Sequence, residues 1–134
     1  MTSSESLFQI LYVSHLAPEA DFGVVKEIVS ASRRANPLCG ITGALVFDGE
    51  YFGQLLEGRE SEVTALMQRI EVDKRHRAVT TLFSGSVRTT RLMRVWRSGY
   101  CEPHQLDALL ADATLRGPAS LAAFVSILQR ADVE

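Results

Sequence analysis

Three residues that can both donate and accept hydrogen bonds stand where the hydropathy pattern of this chain calls for apolar ones. Tyr12 falls within the apolar run 7–13, Gln54 within Phe52-Gly53-Gln54-Leu55-Leu56, and Asn36 at the end of a helical stripe just before Pro37. A buried phenol or amide without a partner costs about 1–3 kcal/mol, so each must find one. On extended backbone Phe8, Ile10 and Tyr12 share one face, and Phe52, Gln54 and Leu56 share another. If those faces coincide, a phenol and an amide project into one apolar slot able to hold a ligand. The alternative is that each side chain satisfies neighbouring backbone, as buried polar groups usually do. Spacing alone leaves both readings open and gives the second more weight.

Other chemistries lack their residues. Gly40, Gly43 and Gly49 have neither phosphate-loop spacing nor a following Lys-Ser/Thr, and no dinucleotide fingerprint is present. His15, His76 and His104 do not pair with one another or with Cys39 and Cys101 at metal-ligand spacing, so no metal site is expected. Neither paired acids nor a nucleophile beside a base stands out, and no enzymatic activity is expected. With 14 Lys plus Arg against 16 Asp plus Glu, the charge of −2 lacks the basic surplus of a nucleic-acid binder. Two cysteines are too few for a disulfide framework, and neither a signal peptide nor a membrane-length apolar stretch is visible. We expect a cytoplasmic protein with no membrane or nucleic-acid partner, and its 134 residues fit one domain.

The elements that must position the three polar residues follow from hydropathy spacing. Residues 7–13 are apolar on both faces, which predicts a central strand covered on either side. Phe22, Val25, Ile28 and Val29 recur at helical spacing after Asp21, a capping acid, and Asn36-Pro37 supplies the stop. The β-prone runs 41–47 and 51–56 flank Asp48-Gly49-Glu50, whose Asp-Gly suits a tight hairpin. After Gly58, the residues Val63, Leu66, Met67 and Ile70 line a second helix. Strands are predicted over 79–83 and 94–100, joined by a polar connection over 84–90.

The resulting order, β-α-β-β-α-β-β, predicts an α+β, ferredoxin-like fold with a five-stranded mixed sheet and two helices on one face. Its other face would expose a large apolar patch. Leu106, Leu109 and Leu110, and beyond Gly117-Pro118 the stripe Leu121, Phe124, Val125 and Leu128, predict two C-terminal helices that cover it. We therefore expect a core over 1–100 and a two-helix extension over 101–134.

Over roughly residues 6–100 the chain resembles the BLUF family, blue-light sensors that use a flavin. The matching pieces are Ile10-Leu11-Tyr12-Val13-Ser14, Ser32-Arg33-Arg34-Ala35-Asn36, Ile41-Thr42-Gly43-Ala44-Leu45, Phe52-Gly53-Gln54-Leu55-Leu56-Glu57-Gly58 and Asp73-Lys74-Arg75-His76. Each is weak alone, and their order and separation are specific together. The resemblance implies that Tyr12 is the photoactive tyrosine, Gln54 the switching glutamine and Asn36 the partner of the flavin's polar edge. It places Ser32 on the same helix face and Ile28 and Ile70 as the apolar walls of the ring. It puts Arg75, with His76 beside it, near the phosphate-bearing tail, where Lys74 could add positive field. The plain alternative for 73–77 is a charged helix end.

The implied cofactor is FAD held without a covalent bond, FMN and riboflavin being compatible alternatives. Light would drive an electron and then a proton from Tyr12, and their return would leave Gln54 reoriented or tautomerised in a red-shifted signalling state. Cys39 lacks the Asn-Cys-Arg-Phe-Leu context of thiol-adduct flavin sensors and reads as a small hydrophobe. The family usually carries tryptophan, one residue, then methionine near the last strand, and here the run is Trp96-Arg97-Ser98. Trp96 matches, Ser98 replaces methionine, and Met93 stands where phenylalanine is frequent, so these three are the candidate relays. Trp96 belongs either to the flavin pocket or to the sheet core or an oligomer contact. A sensor without its own catalytic domain needs partners, so a homo-oligomer and an unidentified downstream protein are expected, met by the helices after Pro103. The alternative is a photochemically silent module of the same fold.

Overall fold

The computed structural model describes residues 7–87 and 90–134. Its centre is β1 (Leu7–Leu16), buried on both faces between two antiparallel neighbours, β3 (Tyr51–Gly58) and β4 (His76–Val87). β2 (Thr42–Phe47) forms a hairpin with β3, and β5 (Trp96–Tyr100) lies parallel to β2. A two-residue strand, β6 (Asp132–Val133), closes the far edge, giving the order β4-β1-β3-β2-β5-β6. This is an α+β, ferredoxin-like sheet with helices on both faces.

Local chemistry accounts for the boundaries. Helix α1 (Phe22–Ala35) starts where the Asp21 carboxylate accepts from the Gly23 amide at 2.9 Å, and gives way to a single 3-10 turn over Asn36–Cys39 that holds Pro37. At the hairpin, Asp48 Oδ1 accepts from the amides of Glu50 at 3.0 Å and Tyr51 at 2.7 Å, while Gly49 takes φ 99°. Helix α2 (Glu60–Glu71) carries Glu60 and Glu62 in its first turn, where negative charge suits the positive end of the helix dipole.

The structure departs from the sequence expectations at several ends. α2 stops at Glu71, so 73–77 is no helix end: Asp73 closes a turn and His76 begins β4. β4 runs well past both ends of 79–83, because β1 offers it a partner along its length. Between the pairs Val13↔Thr80 and His15↔Arg77, two β4 residues oppose one of β1, a bulge at which Ala78 takes φ 54°. The polar connection over 84–90 is strand up to Val87, and residues 88 and 89 lie outside the described ones. β6 adds a sixth strand through paired bonds, Glu134 N to Ser98 O at 2.8 Å and Ser98 N to Glu134 O at 3.3 Å.

Strand alternation divides the interior. Phe8, Ile10, Tyr12 and Leu56 face α2 with Val63 and Met67, while Leu45, Phe47 and Phe52 face Val25 of α1. Leu11, Val13, Val46 and Leu55 face α3 (Gln105–Ala111) and α4 (Pro118–Arg130), which contribute Leu106, Leu109, Phe124 and Ile127. Gly53 lets these helices settle, since a Cβ there would stand 2.8 Å from a Leu106 methyl and 3.0 Å from the Phe124 ring. Among the described residues no helix is long and apolar enough to cross a membrane. Phe124 is fully buried against the sheet, so Phe124→Ala is expected to lower the unfolding free energy by about 3–5 kcal/mol, read from the urea midpoint.

Candidate functional site

α1 and α2 enclose a cleft of about 310 Å³ above the sheet. Tyr12, Ile28, Ser32, Asn36, Gln54, Ile70, Arg75 and His76 all line it. The antiparallel register sets Tyr12 directly opposite Gln54, and neighbours so placed direct their side chains to one face. A larger groove of about 460 Å³ lies on the other flank of α1, against β5 and β6, and contains none of the residues singled out for the cofactor. Polar chemistry rather than volume marks the smaller cleft as the site.

A continuous buried hydrogen-bond chain runs along its floor. Trp96 Nε1 donates to Gln54 Oε1 at 3.0 Å, and Gln54 Nε2 donates to the Tyr12 hydroxyl at 2.6 Å. The direction is fixed chemically, because an indole N–H can only donate and so must meet the amide oxygen. Tyr12, having accepted from Gln54, keeps its own proton to donate. Burial pushes the Tyr12 pKa far above its ordinary 10.0, opposed by the bond from Gln54 and aided by the charge of Asp73. The phenol is therefore neutral at physiological pH.

Asn36 is 4% exposed at the junction of α1 and the 3-10 turn, and its Nδ2 is the one buried side-chain nitrogen or oxygen without a hydrogen-bond partner among the described residues. A buried amide donor left unmade costs about 1–3 kcal/mol, which calls for an acceptor on a ligand. His76 is held at both nitrogens: Nε2 faces the Ile70 carbonyl and therefore carries the proton, while Nδ1 accepts from Ser14 Oγ at 2.8 Å. It braces the end of α2 against β1, with its ring edge-on to Tyr12 at 6.3 Å. Arg75 donates from Nε at 2.9 Å and Nη2 at 2.6 Å to Asp73. These bonds hold the Asp73 carboxyl below the usual range and raise the arginine. Asp73 and Arg69 also line the cleft, and the sequence reading assigned neither to it. Polar residues at a helix end carry no periodicity that would reveal which way they turn.

The three candidate relays separate. Trp96 is buried in the sheet core beside the cleft rather than lining it, packed with Leu45, Phe47 and Phe52 and bonded to Gln54. Ser98, two residues on and on the same strand face, lines the larger groove and accepts from Arg33 Nη2 at 2.6 Å. Met93 is not brought to them: it packs against the cluster formed with α3 and α4, on the opposite sheet face. The reason is that β5 begins at Trp96 rather than at residue 94, and the irregular segment before it is tied elsewhere. Glu57, a fully buried carboxylate, accepts from the amides of Leu92 at 2.8 Å and Met93 at 2.9 Å. Among the described residues no group of three or more His, Cys, Asp or Glu is placed to hold a metal ion.

Comparison with known proteins converges on one family. The model of the family described as "BLUF: Sensors of blue-light using FAD" matches residues 7–99. The blue light- and temperature-regulated antirepressor BluF of Escherichia coli (strain K12) is 36% identical over 76 residues, 57% of this chain and 19% of that protein. The dark-state structure of BlrB, a BLUF protein, superposes with a TM-score of 0.73 at 27% identity, covering 94% of this chain and 97% of the other. Klebsiella pneumoniae BlrP1, solved with FMN and cyclic diGMP, gives a TM-score of 0.65 at 26% identity, over 94% of this chain and 30% of that one. The chain thus spans about a fifth of the curated relative and under a third of BlrP1.

The raised Tyr12 pKa has a consequence for stability. The unfolded chain ionises this tyrosine near pH 10 and the folded chain does not, so stability is undiminished below that pH and declines above it. Urea unfolding is expected to weaken by up to about 1.4 kcal/mol per pH unit from this group above pH 10, and Tyr12→Phe to remove that part of the decline.

Proposed function

We propose, from the fact that the chain belongs to the BLUF family of blue-light sensors using FAD, that the cleft between α1 and α2 holds FAD and that Tyr12 and Gln54 are its light switch. The carrying observation is the buried run from Trp96 through Gln54 to Tyr12, adjacent to an Asn36 amide that lacks an acceptor. A flavin ring fits these residues chemically: a flat apolar body suits Ile28 and Ile70, and a polar edge rich in acceptors suits Asn36 Nδ2. Arg75 and Arg69, at the end of the cleft formed by α2 and the following turn, suit the phosphates of the tail. FAD rather than FMN is the reading favoured by the family's description, while BlrP1 was solved with FMN.

When bound, the flavin supplies a ring that absorbs blue light and becomes a strong oxidant in its excited state. Tyr12 supplies the electron and then its phenolic proton, and takes both back, so no net redox change remains. Gln54 is the group whose state persists. With Nε2 released from the phenol, the amide turns or tautomerises and presents a new hydrogen bond toward the cleft, while Trp96 must exchange its acceptor. The dry floor keeps water from supplying substitute bonds. The output is a rearranged β3–β2–β5 region rather than a chemical product.

A photosensor of this kind acts through others, and we place that contact on the outer surfaces of α3 and α4, with a homo-oligomer and a downstream protein as partners in the cytoplasm. Light scattering after size exclusion, in darkness and under blue light, is expected to show an assembly whose mass or partner affinity changes with light. An unchanged monomer with unchanged affinity would remove this route.

The purified protein is expected to be yellow and to show a reversible red shift of its flavin band under blue light, with FAD as the pigment released on denaturation. Tyr12→Phe and Gln54→Leu should retain flavin and lose the shift in difference spectra. Asn36→Ala should weaken flavin affinity about tenfold, equivalent to ~1.4 kcal/mol. A flavin-loaded protein with no shift, or a normal shift in either switch variant, contradicts this reading.

A further inference from the structure

Arg33 lies on the flank of α1 that borders the larger groove, away from the residues that line the cleft. Its guanidinium makes two contacts with β5. Nη2 donates to Ser98 Oγ at 2.6 Å, and the guanidinium carbon stands 5.8 Å from the centre of the Trp96 ring. Trp96 and Ser98 are two residues apart on one strand, so both point toward α1. A planar fork suits this pair, since one arm can bond a hydroxyl while the plane keeps its charge over an indole. The serine itself is informative. It stands where the family resemblance calls for methionine, and a hydroxyl is a far better acceptor for an arginine than a thioether.

The Trp96 ring packs in the core with Leu45, Phe47 and Phe52, but β5 itself gives its backbone few partners beyond β2. The strand is five residues long, its parallel partner is β2, and on its other side only the two-residue β6 pairs with Gly99 and Tyr100. Trp96 is the first residue of the strand, preceded by an irregular segment. Yet the Gln54 amide takes its orientation from the Trp96 N–H, because only the indole dictates which end of the amide is the acceptor.

We propose that Arg33 is a positioning residue for the photoactive pair: by clamping Trp96 and Ser98 to α1, it keeps the indole N–H on Gln54 Oε1 and so holds Gln54 Nε2 on Tyr12. This inference rests on the reading of Tyr12 and Gln54 as the light switch. Without the clamp the indole swings out of register, the amide loses its bias between its two orientations, and the dark state becomes a mixture. Arg33 touches neither Tyr12 nor Gln54; it acts through Trp96 and Ser98.

Trp96 is the only tryptophan, so its fluorescence reports on this residue alone. The test is acrylamide quenching of the flavin-loaded protein in the dark, together with the rate of dark recovery after blue light, for the wild type, Arg33→Gln, Arg33→Lys and Ser98→Ala. Arg33→Gln is expected to raise the quenching constant several-fold and to change the recovery rate by about threefold or more. Arg33→Lys, which keeps the charge but not the fork, should fall between. Ser98→Ala, a small change that leaves Arg33 in place, should move both readouts in the same direction by less, at an unchanged melting temperature. Folded Arg33→Gln and Ser98→Ala proteins with a normal red shift, a shielded Trp96 and wild-type recovery would overturn the clamp and leave the light switch standing. A wild type without a red shift, in which Arg33→Gln still unshields Trp96, would overturn the switch and support the clamp.

Discussion

The hydrogen bond between Gln54 and Tyr12 depends on one register. β1 and β3 pair so that Tyr12 faces Gln54, and a slip of one residue would send one of the two to the face covered by α3 and α4. The sheet secures that register with a second buried polar contact. Gln9 Nε2 donates at 2.7 Å to Glu57, its direct partner three residues further along β3 from Gln54. Glu57 also draws in the amides of Leu92 and Met93, so the carboxylate joins β1, β3 and the segment leading into β5. Full burial of this side chain is tolerable because several donors meet it, and moving any of these elements would cost it at least one of them. The photoactive pair and the carboxylate lock both join β1 to β3 and act on opposite faces of the sheet.

The same sheet explains why the switch stays dry and why its state can leave the site. Two layers of helices bury both faces, and the loss of water keeps the Tyr12 phenol neutral, with a proton to give. In that environment each polar group counts. Gln54 is satisfied at both ends by Trp96 and Tyr12, while Asn36 waits for a partner that the polypeptide does not supply. Trp96 belongs to β5, near the far edge of the sheet, and the Gln54 amide thus connects the central strands to that edge.

Much of this was legible in residue types and spacing. The alternation around Tyr12 and Gln54, the helical stripes and the Asp-Gly turn place the strands and helices that form the cleft. The leucines after Pro103 predict its opposite cover. Other features leave little trace in sequence. β6 is two residues long and exists through its bonds to a strand edge, so no periodicity announces it. The length of β4 follows from its partner β1, not from its own mixed composition. Met93 resembles a pocket residue by position in the chain, but Glu57 draws its backbone to the other face. Nothing in the sequence singles out Arg33, since its partners are distant along the chain and meet it only where β5 pairs beside β2.

The central claim is that light changes the hydrogen bonding of the Gln54 amide and of no similar group elsewhere. Its most direct test is nuclear magnetic resonance of the side-chain amides in protein labelled with heavy nitrogen at glutamine, recorded in darkness and under continuous blue light. Gln9 is the internal control, because its amide is equally buried and donates to Glu57 outside the cleft. The account predicts that the Gln54 amide signals move on illumination and return in the dark while those of Gln9 stay fixed. A flavin band that shifts while the Gln54 signals do not move would contradict it.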